Sequence, residues 1–180
     1  MVQKDAKTLL RFGPSYTLAM NGSAAEKLLN PNLYQVFLMA NPSRLLVFTH
    51  PWFVVNRKGV VSRWAIGRAA VNGNPRFGWV NKDALPPFSG VPLLLFLGLR
   101  KPAWKGRLLG YTEGGEGSLA AQMADCIENS KDTYPYRDRY VPSGPNCNTY
   151  IQWVLAQFPD AGLKLPWNAV GKGYKAQSSL

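Results

Sequence analysis

One stretch near the C-terminus, residues 143–158, most constrains what this chain can fold into. It opens with a turn-forming Ser-Gly-Pro-Asn run that leads directly into Cys147, and Pro159 stops the pattern that follows. Between them, apolar residues recur at helical spacing: Ile151, Val154, Leu155 and Phe158. Because Asn146 is a preferred N-cap residue, the stretch predicts a helix with Cys147 in its first turn.

A thiol in the first turn of a helix has chemical consequences. It faces unpaired backbone N–H groups and the positive end of the helix dipole, and both favour the thiolate over the thiol. Cys147 is therefore a candidate nucleophile, and we expect it to react faster with thiol reagents than Cys126 does. The alternative interpretation is a small buried cysteine at the start of a helix.

His50 is the single histidine of the chain, and it lies in a run rich in β-forming residues, 44–55, which predicts a strand. A cysteine nucleophile needs a base, which is commonly a histidine near in space rather than in sequence. His50 is therefore the candidate base for Cys147. The alternative is that His50 is an ordinary core or surface residue of the strand.

The cysteine and histidine counts weigh against two other kinds of site. Two cysteines are too few for a disulfide framework, and together with one histidine they fall short of the usual structural zinc set. We therefore expect no metal and no cofactor. Cys126 falls on the apolar side of a helix predicted for 119–129, which favours a buried free thiol, although a Cys126–Cys147 bridge stays open.

Composition and charge narrow the class of protein. A chain of 180 residues with 46% hydrophobic and 17% charged residues is typical of one globular domain. The net charge of +11 favours anionic partners, either acidic lipid surfaces or anionic cell-wall polymer. Nucleic acid is not expected as a ligand, since the motifs of known nucleic-acid modules are missing. Residues 1–21 do not resemble a Sec-type signal peptide, so we expect a cytoplasmic protein whose export, if any, follows a Sec-independent route.

The remaining pattern predicts a mixture of strands and helices. Ser23 and Glu26 match a capping box at the start of a short helix that reaches residue 29, and Ser118 is a candidate cap for the helix over 119–129. An irregular insertion is predicted for 67–90, which is rich in Gly, Asn and Pro. Strands are predicted for 33–40, 44–55, 60–66 and 108–112, with a hairpin turn at 56–59.

Residues 91–107 allow two interpretations. The apolar part, 91–99, is too short to span a bilayer, and its length favours a core strand. The alternative is an exposed hairpin that touches an anionic membrane. Its apolar contact and its charge attraction would come from Leu93, Leu95, Trp104, Arg100, Lys101, Lys105 and Arg107.

Three motifs carry a family resemblance: Thr-His-Pro-Trp-Phe-Val-Val at 49–55, Gly-Pro-Asn-Cys-Asn-Thr-Tyr at 144–150, and Leu-Pro-x-x-Ala-x-Gly-Lys at 165–172. Together they resemble an uncharacterised bacterial family related to the circularly permuted NlpC-type papain-like hydrolases. Lecithin:retinol acyltransferase and its phospholipase and acyltransferase relatives belong to this permuted group. In the group the histidine strand precedes the cysteine helix, as His50 precedes Cys147 here. One departure is that many members of the uncharacterised family carry serine where this chain has Cys147.

The resemblance covers residues 33–174 of a single domain spanning 1–180, and it leaves 1–32 as an N-terminal extension. It implies an α+β permuted papain-like fold in which an antiparallel sheet packs on the C-terminal helix that bears Cys147. It also implies a third residue that orients the imidazole of His50 from the strand that follows. The candidates for this residue are Ser62, Arg63 and Asn72, and the register of the hairpin decides among them.

These expectations combine into one chemistry with two alternatives. The resemblance implies a cysteine acyl hydrolase or acyltransferase acting on a lipid ester or amide, and the substrate-contact candidates are Trp52, Tyr136 and Asn148. The first alternative is a cell-wall peptide amidase, which could be a secreted antibacterial effector with an inhibitory immunity protein as its partner. The second is a catalytically inactive binding domain on the same fold.

Overall fold

The computed structural model describes residues 22–41, 49–71, 74–91 and 106–175, and its side chains except those of 68–71 and 74–77. In chain order the elements are α1 (Gly22–Glu26), β1 (Tyr34–Asn41), β2 (His50–Arg57), β3 (Val60–Val71), β4 (Asn74–Lys82), β5 (Arg107–Gly114), α2 (Leu119–Thr133), α3 (Cys147–Gln157) and a 3₁₀ turn (Pro159–Ala161).

The five strands form one antiparallel sheet in the order β4-β3-β2-β1-β5. The α+β class and the antiparallel sheet predicted from the sequence are therefore confirmed. The β2–β3 hairpin turns at Lys58 and Gly59, which both have positive φ, as a two-residue turn between twisted strands requires. Strand β1 lies inside the sheet and pairs with the central strand β2 on one side and with the edge strand β5 on the other.

Both faces of the sheet are buried, because β1 and β2 are apolar along nearly their whole length. The face that packs against α2 and α3, the helix face, includes Phe53 and Val55 of β2. The opposite face, the α1 face, includes Trp52 and Val54 and packs against Ala25 and Phe88. Successive residues of a strand point to opposite faces, so the position of a residue in β2 fixes the layer that its side chain joins.

The helices at the C-terminal end match the sequence pattern well. Ser118 caps α2 by accepting a hydrogen bond from the N–H of Ala121, and α2 continues to Thr133 rather than ending near residue 129. Met123 and Ile127 of α2 are fully buried against the sheet. Among the described residues, none of the helices is both long enough and apolar enough to cross a bilayer.

Two predicted elements are corrected. The irregular insertion at 67–90 is wrong for most of its length, since β3 continues to Val71 and β4 occupies Asn74–Lys82, which leaves 83–91 as the irregular segment. The Gly, Asn and Pro residues near 71–75 mark the connection between two long strands. Helix α1 begins at Gly22 and ends at Glu26, so Ser23 lies inside it and does not cap it. Residues 42–48 and 92–105, which hold part of the predicted histidine strand and most of the predicted membrane hairpin, lie outside the described residues.

Candidate functional site

Helix α3 begins at Cys147, as the sequence predicts, and Asn146 is its N-cap. The Oδ1 of Asn146 accepts hydrogen bonds from the N–H groups of Asn148 (2.9 Å) and Thr149 (3.2 Å). The hydroxyl of Thr149 accepts in return from the N–H of Asn146 (3.0 Å). These bonds satisfy the backbone donors that a helix start leaves unpaired, so the position of Cys147 is fixed by a reciprocal capping box.

The same residues fasten the segment 166–172 to the start of α3. Nδ2 of Asn146 donates to the carbonyl of Val170 (3.1 Å), and the hydroxyl of Thr149 donates to the carbonyl of Gly171 (2.7 Å). Gly171 has a φ of +89° and lies so close to Asn146 that a Cβ there would approach its Nδ2 to 2.4 Å, which only glycine permits. The substrate-contact candidate Asn148 belongs to this network, because it is buried and its Nδ2 donates to Val170 (2.8 Å).

The thiol of Cys147 is buried, with 5% of the residue exposed. The phenol of Tyr140 donates to Sγ over 3.9 Å, and the backbone N–H groups of Cys147 and Asn148 also stabilise a charge on the sulfur. Burial outweighs these contacts and raises the pKa of Cys147 to about 11. The expectation of a thiolate is therefore corrected: at neutral pH Cys147 carries a thiol.

Tyrosines surround the start of α3, and the sequence reasoning gave them little weight. Tyr134 is fully buried and makes edge-to-face ring contacts with Tyr150 (centroids 5.3 Å apart) and Tyr136 (5.5 Å). Tyr136, a substrate-contact candidate, is half-buried and makes a further ring contact with Tyr174 at 5.3 Å. The signal in the sequence was the Tyr-x-Tyr spacing at 134–136, but nothing there indicated that Tyr174 completes the cluster.

His50 is the first residue of β2 and lies on the α1 face with Trp52, their ring centroids 6.4 Å apart. The guanidinium of Arg63 lies over the Trp52 ring, 4.0 Å from its centroid. Burial and the positive charge of Arg63 together lower the pKa of His50 to about 4. The imidazole is therefore neutral at pH 7 and takes up a proton with difficulty.

The predicted pair is thus built into different layers. Cys147 packs in the helix-face core with Phe53, whereas His50 follows Trp52 onto the α1 face. Thr49, one residue earlier, is the residue that reaches toward α3: it is buried, and its hydroxyl donates to Oδ1 of Asn168 in the fastened segment (3.3 Å). In the described part of the chain, the structure brings Tyr140 to the thiol and Arg63 to the neighbourhood of the imidazole.

The hairpin register decides between two of the three candidates for the orienting residue. Val54 pairs with Arg63 and Val55 with Ser62, so Arg63 shares the face of His50 and Ser62 lies on the helix face. Ser62 accepts from Nε1 of Trp64 there (2.9 Å). Arg63 donates to the carbonyls of Pro86 (2.9 Å) and Ser89 (2.6 Å). A guanidinium has only donors, so it cannot accept the N–H of an imidazole. The third candidate, Asn72, lies outside the described residues.

Two other expectations are revised by burial. Trp52, a substrate-contact candidate, is fully buried, and its Nε1 donates to the carbonyl of Pro87 (2.8 Å), so the ring is part of the core.

Cys126 is half-exposed rather than buried, and its thiol donates to Oε1 of Gln157 (3.7 Å). Both cysteines are free, which excludes the bridge left open above. Within the described ranges, no three His, Cys, Asp or Glu side chains gather as a set of metal ligands.

The surface beside the start of α3 is aromatic and basic. Tyr136, Tyr140 and Tyr174 are half-buried there, and the hydroxyl of Tyr140 is directed at the thiol of Cys147. Arg137 and Arg139 lie between the first two tyrosines in the chain and are exposed, with the exposed Asp138 between them. We call the three tyrosines and the two arginines the aromatic–basic surface.

Comparison with known proteins gives one result. A family model described as "Protein of unknown function (DUF3750)" matches residues 97–174, which hold β5, α2 and α3. Comparisons with the curated proteins and with solved structures give no match.

Proposed function

We propose that this protein is a non-catalytic binding domain for an anionic surface or polymer, on a scaffold related to the permuted papain-like hydrolases. The scaffold assignment is supported by the chain order, in which the histidine strand comes first and the cysteine helix last around an antiparallel sheet. One observation carries the non-catalytic role: Cys147 packs on one face of the sheet and His50 lies on the other.

The protonation states support the same conclusion. Proton transfer from a thiol with a pKa of about 11 to an imidazole with a pKa of about 4 is uphill by roughly 10 kcal/mol. A general base is most effective when its pKa lies near the working pH. The group that shares the face of His50 is the cation Arg63, which opposes the imidazolium that catalysis would create.

The choice of an anionic ligand follows from charge. The chain has a formal net charge of +11, and two exposed arginines lie within the aromatic–basic surface. Arginine pairs with phosphates and carboxylates, and tyrosine rings offer flat apolar area with a hydroxyl at the edge. Lipid headgroups and cell-wall polymers both present the anionic groups that such a surface binds.

A second candidate, the cysteine acyl hydrolase, is favoured by one specific observation. The Sγ of Cys147 lies beside backbone N–H groups at the start of a helix, which is how an oxyanion is stabilised in acyl transfer. In that reaction Sγ would attack a carbonyl and form a thioester, the leaving alcohol or amine would take the thiol proton, and water would then release the acid. The mechanism requires a rearrangement that brings a base to the helix face.

Turnover assays on matched cysteine variants separate the two candidates. We would follow fatty-acid release from anionic vesicles and peptide release from cell-wall fragments, using the wild type, Cys147→Ala and His50→Ala. Cys126→Ala serves as the control, since Cys126 lies on α2 and packs near Gln157. The proposal predicts no release above background for any of the four proteins.

Thiol labelling supplies an independent readout. In the folded protein we expect iodoacetamide to label the half-exposed Cys126 before the buried Cys147 at pH 7.5, which reverses the expectation from sequence. Mass spectrometry after limited labelling measures the order. Fast labelling of Cys147 that depends on His50, together with turnover that Cys147→Ala abolishes and Cys126→Ala retains, would replace the binding domain with the hydrolase.

A further inference from the structure

An exposed tryptophan lies next to the start of α3 and takes no part in the site described above. Trp167 is 74% exposed, although tryptophan is among the residues that gain most from burial. Val141 (39% exposed) and Val170 (38% exposed) are two of the other three large apolar residues exposed in the described part of the chain. We call Val141, Trp167 and Val170 the Trp167 patch.

Hydrogen bonds hold the two loops of this patch together. Nδ2 of Asn146 donates both to the carbonyl of Pro142, next to Val141, and to the carbonyl of Val170. Within the second loop, the N–H of Ala169 donates to the carbonyl of Pro166, and the Nζ of Lys172 donates to the same carbonyl at 2.8 Å. Trp167 is therefore presented on a loop that is bonded at both ends.

The loop that carries Trp167 and Val170 is rich in lysine, and the exposed Asp160 precedes it. Residues 161–175 contain three lysines, Lys164, Lys172 and Lys175, and no carboxylate. Lys164 and Lys175 are exposed, and the ammonium of Lys172 lies against the carbonyl of the residue before Trp167. Indole rings surrounded by lysines are typical of protein segments that rest at the boundary between lipid headgroups and acyl chains.

We propose that the Trp167 patch docks this protein on the surface of an anionic phospholipid bilayer. Trp167 inserts at the headgroup level with Val141 and Val170, while Lys164, Lys172 and Lys175 attract the acidic headgroups. A stable protein interface buries about 800 Å² on each partner, which one indole and two valines do not supply. The inference rests on the proposed function, which takes an anionic surface or polymer as the ligand. It specifies that ligand as a phospholipid bilayer.

Vesicle binding of single-residue variants tests this inference. Wild-type protein and Trp167→Ala are mixed with vesicles of phosphatidylcholine, with and without phosphatidylglycerol, and the bound fraction is measured by sedimentation. We expect binding to the anionic vesicles only, weakened by added salt, and reduced about tenfold or more in Trp167→Ala. Val60→Ala is the matched control, because Val60 is 70% exposed on the β2–β3 hairpin and lies outside the patch.

Charge-reversal variants and tryptophan fluorescence distinguish a loss of membrane contact from a defect in folding. Lys164→Glu should weaken anionic-vesicle binding about fivefold or more, while Lys27→Glu, an exposed lysine beyond α1, should leave it unchanged. The tryptophan emission of the wild type should shift to shorter wavelength on binding, and that shift should shrink in Trp167→Phe. Unchanged melting temperatures would show that each variant is folded.

Three outcomes overturn the inference: no binding to anionic vesicles, equal binding by Trp167→Ala, or binding to cell-wall fragments in its place. Equal binding by Trp167→Ala with loss in Trp104→Ala would move the contact to the 91–107 segment. The vesicle-binding measurements are repeated with Cys147→Ala, which should bind as the wild type does, because vesicle binding does not need the thiol. A failure of the binding-domain proposal appears as turnover that needs Cys147, and is thus distinguishable from a failure of membrane docking.

Discussion

His50 is the residue whose environment has the clearest consequence for stability. Its pKa is about 4 in the folded chain and about 6.5 in the unfolded chain, so the unfolded state binds more protons between these values. The free energy of unfolding therefore falls as the pH drops through this window. The contribution of His50 is fully present above pH 6.5 and is lost towards pH 4, with a total of about 3 kcal/mol.

Replacing His50 with an uncharged residue should remove this dependence. We expect His50→Gln to have a flatter profile of unfolding free energy between pH 6.5 and 4 than the wild type, measured by urea denaturation. The carboxylates titrate in both proteins, so the difference between the two profiles isolates the histidine. Parallel profiles would contradict the half-buried, neutral imidazole described for β2.

At the scale of elements, the cap residue Asn146 both begins α3 and joins it to the neighbouring loops. Asn146→Ala removes the acceptor for two N–H groups and the donor that joins the 142 and 170 carbonyls. We expect a loss of about 2–3 kcal/mol of unfolding free energy, and a melting temperature lower by roughly 4–10 °C. Thermal denaturation followed by circular dichroism measures this.

The matched control is Asn129→Ala, an exposed asparagine on α2, which should change the unfolding free energy by less than about 0.5 kcal/mol. Equal losses in the two variants would mean that the capping box contributes nothing specific. Asn146→Ala alone should lose a large amount of unfolding free energy. If it also binds vesicles more weakly, because the two loops have separated, then the cap supports the Trp167 patch as well.

The helices and strands also show which features could be predicted from the sequence and which could not. The cap, first residue and extent of α3 were predictable because they depend on neighbours in the chain: Asn146 before Cys147, and Thr149 three residues after the cap. The face that His50 occupies was not predictable, because both faces of β2 are apolar and the sequence does not show which of them packs on α3. Burial of the Cys147 thiol was equally hidden, since it depends on the core that the sheet and the helices form together.

At the scale of the whole molecule, the described part of the segment matched by the family model, residues 106–174, contributes one strand to the sheet. Residues 97–174 hold β5, α2 and α3, but β5 pairs with β1, and Phe37 stacks on Tyr111 across that pairing with ring centroids 5.2 Å apart. We therefore expect residues 97–174 expressed alone to lack a cooperative melting transition, and to form a soluble complex when co-expressed with residues 1–96. Circular dichroism and size-exclusion chromatography test both statements, and a cooperative transition in the isolated segment would contradict them.

The position of β1 inside the sheet, between β2 and β5, has a consequence for the folding of the chain as the ribosome makes it. Strands β1 and β2 leave the ribosome first, with both faces apolar and one edge of β1 open, and their partners β5, α2 and α3 follow only after a long interval. Their pairing with late-made segments is non-local, which slows folding and prolongs exposure to aggregation. The native state therefore becomes accessible only after the 166–172 segment, which bonds to Asn146 and Thr149 at the start of α3, has been made.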